Sequence, residues 1–169
     1  LVRSRGLGDV YMRQMNKDDT EILKEVQKNT RMAVKAIEAI SDKVCNDKLS
    51  YELSRENLSF SKLHNKAVDM LTRESKDVYH PSAVEDMMLS GAINMNTMLN
   101  NSTSRIAELM IQGNNRGILS MCKSMNHHDN AGSMTMEVAK ELMDFEEKCI
   151  EKLKAVSYTH LTLPTICSV

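Results

Sequence analysis

The chain has 169 residues, with 22 Lys plus Arg against 23 Asp plus Glu and a formal net charge of −1. That balance carries no basic footprint for a nucleic-acid backbone, and no apolar run reaches the roughly 20 residues a membrane-spanning helix needs. With 14 Met, 2 Phe and no Trp among 41% hydrophobic residues, the composition favours helix formers and an all-α domain.

The two ends differ from the middle and are related to each other. Back-translating VSYTHL, Val156 to Leu161, with ordinary codons gives GTC TCT TAT ACA CAT CT, whose reverse complement reads GAT GTG TAT AAG AGA C. Translated, that is Asp-Val-Tyr-Lys-Arg, and the N-terminal stretch Asp9-Val10-Tyr11-Met12-Arg13-Gln14 departs from it only at Met12, one base away. Such a relation belongs to DNA ligated to the same oligonucleotide at both ends, and the string resembles the transposase-end adapter of sequencing libraries read in frame. The resemblance implies that residues 1–14 and 155–169 are adapter-derived, which leaves 15–154 as one helical-bundle domain large enough to fold alone. Both ends are then expected to lie outside the bundle with few contacts.

In the middle, apolar or small residues recur at Leu23, Val26, Thr30, Ala33, Ile37, Ile40 and Val44, in steps of three and four. That spacing predicts a helix over about Asp19–Cys45, capped by Asp18, Asp19 or Thr20. A second stripe, Leu49, Leu53, Glu56, Phe60, Leu63, Ala67 and Met70, predicts a second helix that fails near Ser75. Its one charged member is Glu56. Lys76 to Pro81 (KDVYHP) reads as a break, because proline disfavours helix at the preceding residue, and Ser82 can cap a new segment. A third helix carries Met95, Met98, Ile106, Met110, Gly113, Gly117, Met121 and Met125, with a kink or break expected at Asn100–Ser104 (NNSTS). NHHDNAG, residues 126–132, ends it. Ser133 or Thr135 starts a last helix whose apolar face is Val138, Leu142, Phe145, Cys149 and Leu153.

Four helices of about 25 residues, each roughly 40 Å long, can bury such narrow stripes only against one another. A four-helix bundle follows. The link from Lys76 to about Met95 is long whereas the other two are short, so the third helix can restart parallel to the second. Two hairpins joined by a crossover between helices 2 and 3 is the ferritin-like connectivity; an up-down bundle with one very long helix is the alternative. In architecture and length alone the chain resembles ferritin-like helical-bundle proteins of unknown function.

That resemblance implies a test for metal ligands. The di-metal pattern takes a Glu from two helices and Glu-x-x-His from the other two, and no Glu-x-x-His occurs here: Glu56 is followed at that spacing by Ser59 and Glu141 by Asp144. Glu56, Glu108, Glu141 and Asp144 remain as candidates for an atypical carboxylate site, with His64, His127 and His128 as further possible ligands. His127 and His128 fall where a helix ends, a position that suits capping. Gly113 and Gly117 suit close approach of a neighbouring helix, and the regularly spaced methionines suit core filling. No glycine-rich phosphate loop, Walker-type lysine or nucleophile beside a base is present.

Cys45, Cys122 and Cys149 show no close pairing, and Cys167 lies in the adapter-like tail, so the thiols are expected to be buried in a reducing, cytoplasmic compartment. The Asn-x-Ser/Thr triplets at Asn57, Asn100 and Asn101 are then inert. The residues point to a non-enzymatic protein that acts through a protein partner or as a homo-oligomer, with no cofactor. The alternative is a ferritin-like metal-binding protein or oxidoreductase using iron or manganese.

Overall fold

The computed structural model describes residues 14–98 and 100–161; most of the segments 1–14 and 155–169 expected to be adapter-derived, namely 1–13 and 162–169, lies outside the described residues. The fold is all-helical, as the composition requires, and its elements are α1 Lys17–Ser41, α2 Asp47–Arg73, α3 Ala83–Met98, α4 Thr103–His127 and α5 Ser133–Leu161.

α1 starts two residues before the expected place. Asn16 is the cap: its side chain accepts the Asp19 N–H at 2.8 Å while Asp19 Oδ2 accepts the Asn16 N–H at 2.9 Å, a reciprocal capping box. Asp19 is therefore the third helical residue of the box and not its cap. The helix ends at Ser41, short of the expected Cys45. Asn46 caps α2 by accepting the Leu49 N–H at 2.9 Å. α2 closes where its stripe fails: Ser75 takes a left-handed φ of 53°, its N–H reaches Thr72 O, and the Lys76 N–H reaches Leu71 O at 2.9 Å. Those two bonds make a Schellman ending, which glycine normally supplies.

The principal departure from expectation is a fifth helix. The link after Pro81 is not irregular, because Ser82 and Glu85 form a second capping box (Glu85 N–H to Ser82 Oγ, Ser82 N–H to Glu85 Oε2, both 3.2 Å) and nucleate α3. Met95 and Met98 belong to α3, and the polar run at Asn100–Ser104 is a true break: the Ser102 N–H bonds Asn100 Oδ1 at 2.9 Å, and Ser102 then caps α4.

Cross-helix bonds fix the directions. α1 and α4 are antiparallel, since Glu25 meets Ser120 and Asn29 meets the Gly117 carbonyl. α2 and α5 are antiparallel through Glu52–Lys152 and Lys66–Glu141, and His64 of α2 faces Thr30 and Gln27 of α1. α2 and α4 therefore run the same way. Residues 74–102 must climb from one end of α1 to the other, and they do so along α1 itself: Tyr79 bonds Gln27, Asp86 bonds Arg31 and Lys35, and Asn94 bonds Lys43. α1, α2, α4 and α5 share one apolar core, with Ile22, Phe60, Met121 and Leu142 fully buried. Phe60 and Phe145 meet edge-on at 4.9 Å between centroids. Of the regularly spaced methionines, Met110 and Met121 are buried and Met70 packs partly buried against the core, while the side chains of Met95 and Met98 lie outside the described ones; Met87, Met88 and Met134, which are not part of that spacing, are exposed. Among the described residues no helix is long and apolar enough to cross a membrane.

Two further expectations are corrected. Residues 155–161 continue α5, Val156 packs against the core, and Ser157 Oγ lies 3.3 Å from Ser104 Oγ, so the start of the adapter-like tail is used by the bundle. A helix already running along α4 buries whatever apolar residue comes next in phase. Of the thiols, Cys149 is buried, Cys122 half-buried and Cys45 exposed beyond the end of α1. The ending of α2 gives a direct test: Ser75→Gly relieves the left-handed strain and should raise stability by about 1 kcal/mol, read as a higher urea midpoint. An unchanged midpoint would show that Ser75 carries no strain.

Candidate functional site

Inside the bundle, at mid-height, the apolar core is interrupted. Glu56 of α2 and Glu146 of α5 are each only 2% exposed, and Asn114 of α4 is 3% exposed. Among the described residues, Glu56 Oε1 and Oε2, Glu146 Oε2 and Asn114 Nδ2 are buried with no hydrogen-bond partner. Unpaired buried groups of this kind are rare and costly. Cys149, buried beside them on α5, turns its thiol to Glu56 and lowers the Glu56 pKa as a weak donor would, but the approach falls outside ordinary hydrogen-bond geometry.

Helical phase explains the cluster. Glu146 lies four residues after Leu142 and three before Cys149, on the buried stripe of α5. The apolar spacing could equally be drawn through Phe145, which hid Glu146 from the sequence reading. Room for its carboxyl comes from α4: a Cβ on Gly117 would sit on Glu146 Oε1 and 2.8 Å from Cδ. Gly113 has open space around it, so only the second glycine serves close approach.

Burial governs the electrostatics. Removal from water pushes Glu146 up to about 8 and Glu56 up to about 7, the latter against the thiol and Lys152. Burial, then the charge of Glu56, drives the Cys149 thiol far above its usual range. Near neutrality the cluster holds protons that the unfolded chain releases.

The other sequence candidates do not join it. Glu108 is exposed and paired with Arg105 at 2.8 Å. Glu141 is exposed and paired with Lys66 at 2.6 Å, and Asp144 is exposed on the same outer edge of α5, where a shallow α2–α5 groove also carries Lys62 and Lys148. The four carboxylates Glu56, Glu108, Glu141 and Asp144 therefore do not form one site, because the last three are out of phase with the buried stripes. His64 is half-buried, its Nδ1 3.2 Å from both Thr30 Oγ1 and Gln27 O, and burial lowers its pKa. His127 Nδ1 lies 2.8 Å from Lys123 O in its own helix. His128 is the residue capping α4 and stands 3.4 Å from Asp18. The di-metal pattern does not fit either, since the interior offers two carboxyls, an amide and a thiol, with no histidine among them.

A second feature lies on the surface. α3 turns Val84, Met87 and Met88 outward at 65%, 76% and 70% exposure, while its acids face α1. Asp86 takes a bidentate contact from Arg31 at 2.6 and 2.8 Å and a third from Lys35, which hold its carboxyl far below the usual range. Glu85 accepts from Tyr79 and Ser82, lies 3.8 Å from Lys28, and is likewise lowered.

Two tests follow from the interior cluster. The raised pKa values of Glu56 and Glu146 mean that stability declines as pH rises from about 4.5 through about 7 and about 8, because the native state binds more protons than the unfolded chain over that window. Glu56→Gln with Glu146→Gln should flatten the decline between about pH 5 and about pH 8.5 in urea titrations; an unaltered slope would place the protons elsewhere. Gly117→Ala should destabilise by about 1–3 kcal/mol in the parent. In a Glu146→Ala background it should instead stabilise by about 1 kcal/mol, the ordinary helix preference for alanine, and a cycle without this sign change would show that the notch is not reserved for Glu146.

No protein-family model matches the chain, and no curated protein matches it. Among solved structures it is similar to the crystal structure of a DUF305 fragment from Deinococcus radiodurans, with a TM-score of 0.68 over 86% of this chain and 98% of that one. At 10% identity the likeness establishes a shared helical fold and nothing of activity.

Proposed function

We propose that the chain is a ferritin-like four-helix bundle that acts by protein contact, and that its contact is a second copy of itself through the outer face of α3. The connectivity is supported by α4 running parallel to α2, with residues 74–102 climbing along α1 between them. The observation that carries the contact reading is the face of Val84, Met87 and Met88. These positions are three and four apart and make one helix face, continued by exposed Gly91. Contiguous exposed apolar surface of this sort marks interaction sites.

A second copy is favoured over a charged partner by the electrostatics. The only acids in the first turn of α3, Glu85 and Asp86, are neutralised from α1 by Lys28, Arg31 and Lys35. An apolar, uncharged face meets its own image in a two-fold dimer without like-charge repulsion. In this reading the compartment is reducing and cytoplasmic, which suits Cys45 and Cys122 as free thiols. The competing reading, metal handling with iron or manganese, draws its support from Glu56 and Glu146 alone.

Sedimentation equilibrium over micromolar concentrations tests the contact. The parent should be a dimer, and Met87→Glu with Met88→Glu a monomer with unchanged helicity and melting temperature. A parent that stays monomeric, or a variant that stays dimeric, overturns the α3 interface.

A further inference from the structure

We infer that Glu146 and the middle of α4 form a proton-operated latch: the seam between α4 and α5 is held closed by the proton on the Glu146 carboxyl, and α4 parts locally from α5 as that proton leaves. The inference is independent of self-association through α3.

The register of α4 leaves its middle short of apolar packing. Its buried stripe runs Ile106, Ala107, Met110, Asn114, Gly117 and Met121, so two successive positions, Asn114 and Gly117, bring no apolar side chain to the seam. Gly113 and Gly117 also lie one turn apart in the same helix, and glycine weakens a helix interior because its backbone has more freedom to lose. Segments with little apolar burial are the ones that open locally, below the cost of global unfolding. At this level α4 is tied to α1 by polar contacts: Asn29 donates to the Gly117 carbonyl at 3.4 Å, and Ser120 donates to Glu25.

Glu146 bears directly on that stretch. Its carboxyl fills the notch at Gly117 so closely that a Cβ there would stand 2.8 Å from Cδ. The residue is 2% exposed, and Oε2 has no hydrogen-bond partner. Water can reach an ionised carboxylate in the notch only if α4 moves off it. The helices packed around the notch bring it no cation among the described residues: α4 brings Asn114, α1 brings Asn29 and one turn along the acid Glu25, α2 brings the acid Glu56, and α5 itself brings the Cys149 thiol. Glu56 differs, because the Cys149 thiol and Lys152 both favour its ionised form against burial and the like charge of Glu52. Glu56 can therefore lose its proton with α4 in place, and the latch belongs to Glu146.

The sign follows from burial, which pushes Glu146 up from 4.5 to about 8. Opening returns it to the ordinary carboxylate range, so the open form gains about tenfold per pH unit between those two values and nothing further above the second.

Hydrogen exchange of the full chain, read peptide by peptide by mass spectrometry and expressed as protection relative to the unstructured rate, tests the latch. Protection around Asn114 to Met121 should be lower than in the cores of α1 and α2, should fall about tenfold per pH unit through neutrality, and should level off near about pH 8. Glu146→Gln and Glu146→Ala should each abolish that fall in α4, while Glu56→Gln leaves it in place. The parent alone also decides the point: protection in the middle of α4 equal to that of α1 and α2 at every pH means that the seam opens only with the whole bundle, and the latch is wrong. A fall that persists without Glu146, or that disappears with Glu56→Gln, overturns it as well.

Discussion

Asp19 ties the bundle together at one end. It is 4% exposed, and its two carboxylate oxygens are divided between two jobs: Oδ2 accepts the Asn16 N–H and closes the α1 cap, while Oδ1 accepts the Gly132 N–H at 2.6 Å and holds the α4–α5 turn. Asn16 reinforces the junction by donating to the Asn130 carbonyl, and Asp18 accepts the Asn130 N–H. One helix start is thereby locked to a turn more than a hundred residues later. The level at which α1 meets α4 and α5 is set there, and with it the layers of the core. The negative charge also sits at a helix N-terminus, where the backbone dipole favours it.

Glu56 and Glu146 are buried as deeply but treated in the opposite way. Asp19 lies where helix N–H groups and a turn present donors; the two glutamates lie at mid-helix, where every backbone N–H is already committed to its own helix. The Asp19 carboxylate is therefore satisfied by backbone donors, whereas burial drives the two glutamates to hold protons. A bundle whose other seams are filled by Leu, Ile and Phe has an apolar solution open at both positions. The acids retained there cost stability, and Gly117 on α4 leaves the room that the Glu146 carboxyl takes.

α3 is bound by different forces from the other helices. Among its described side chains none is a fully buried hydrophobic residue, and Ile93 is a partly buried anchor. Its attachment to α1 runs through Lys28, Arg31, Lys35 and Lys43. Such partly exposed ion pairs orient an element more than they stabilise it, because water screens them and long side chains lose entropy in forming them. The apolar atoms of Val84, Met87 and Met88 are left on the outside, while the edge of α1 that meets α3 presents Lys28, Arg31 and Lys35 to Glu85 and Asp86.

The sequence by itself determined that the chain is helical and marked several helix ends, though not the fifth helix, because apolar spacing and caps act over a few residues. The stripes from Leu23 and Leu49 mark α1 and α2, the failure at Ser75 marks the Schellman ending, Ser82 marks a new start, and Ser133 marks the beginning of α5. Glu56 was legible as the charged break in an apolar stripe. What lay beyond local reading was whatever depends on how two helices are rotated against each other. Phe145 and Glu146 are neighbours in sequence and fit the α5 stripe almost equally, and only packing against Gly117 decided that the glutamate goes in. The same ambiguity made Glu108, Glu141 and Asp144 look available, when the rotation of α4 and α5 turns them to solvent. Helix phase is a local property of the chain, but which side of a helix is inside is set by its neighbours, and in this protein the tertiary structure made that choice.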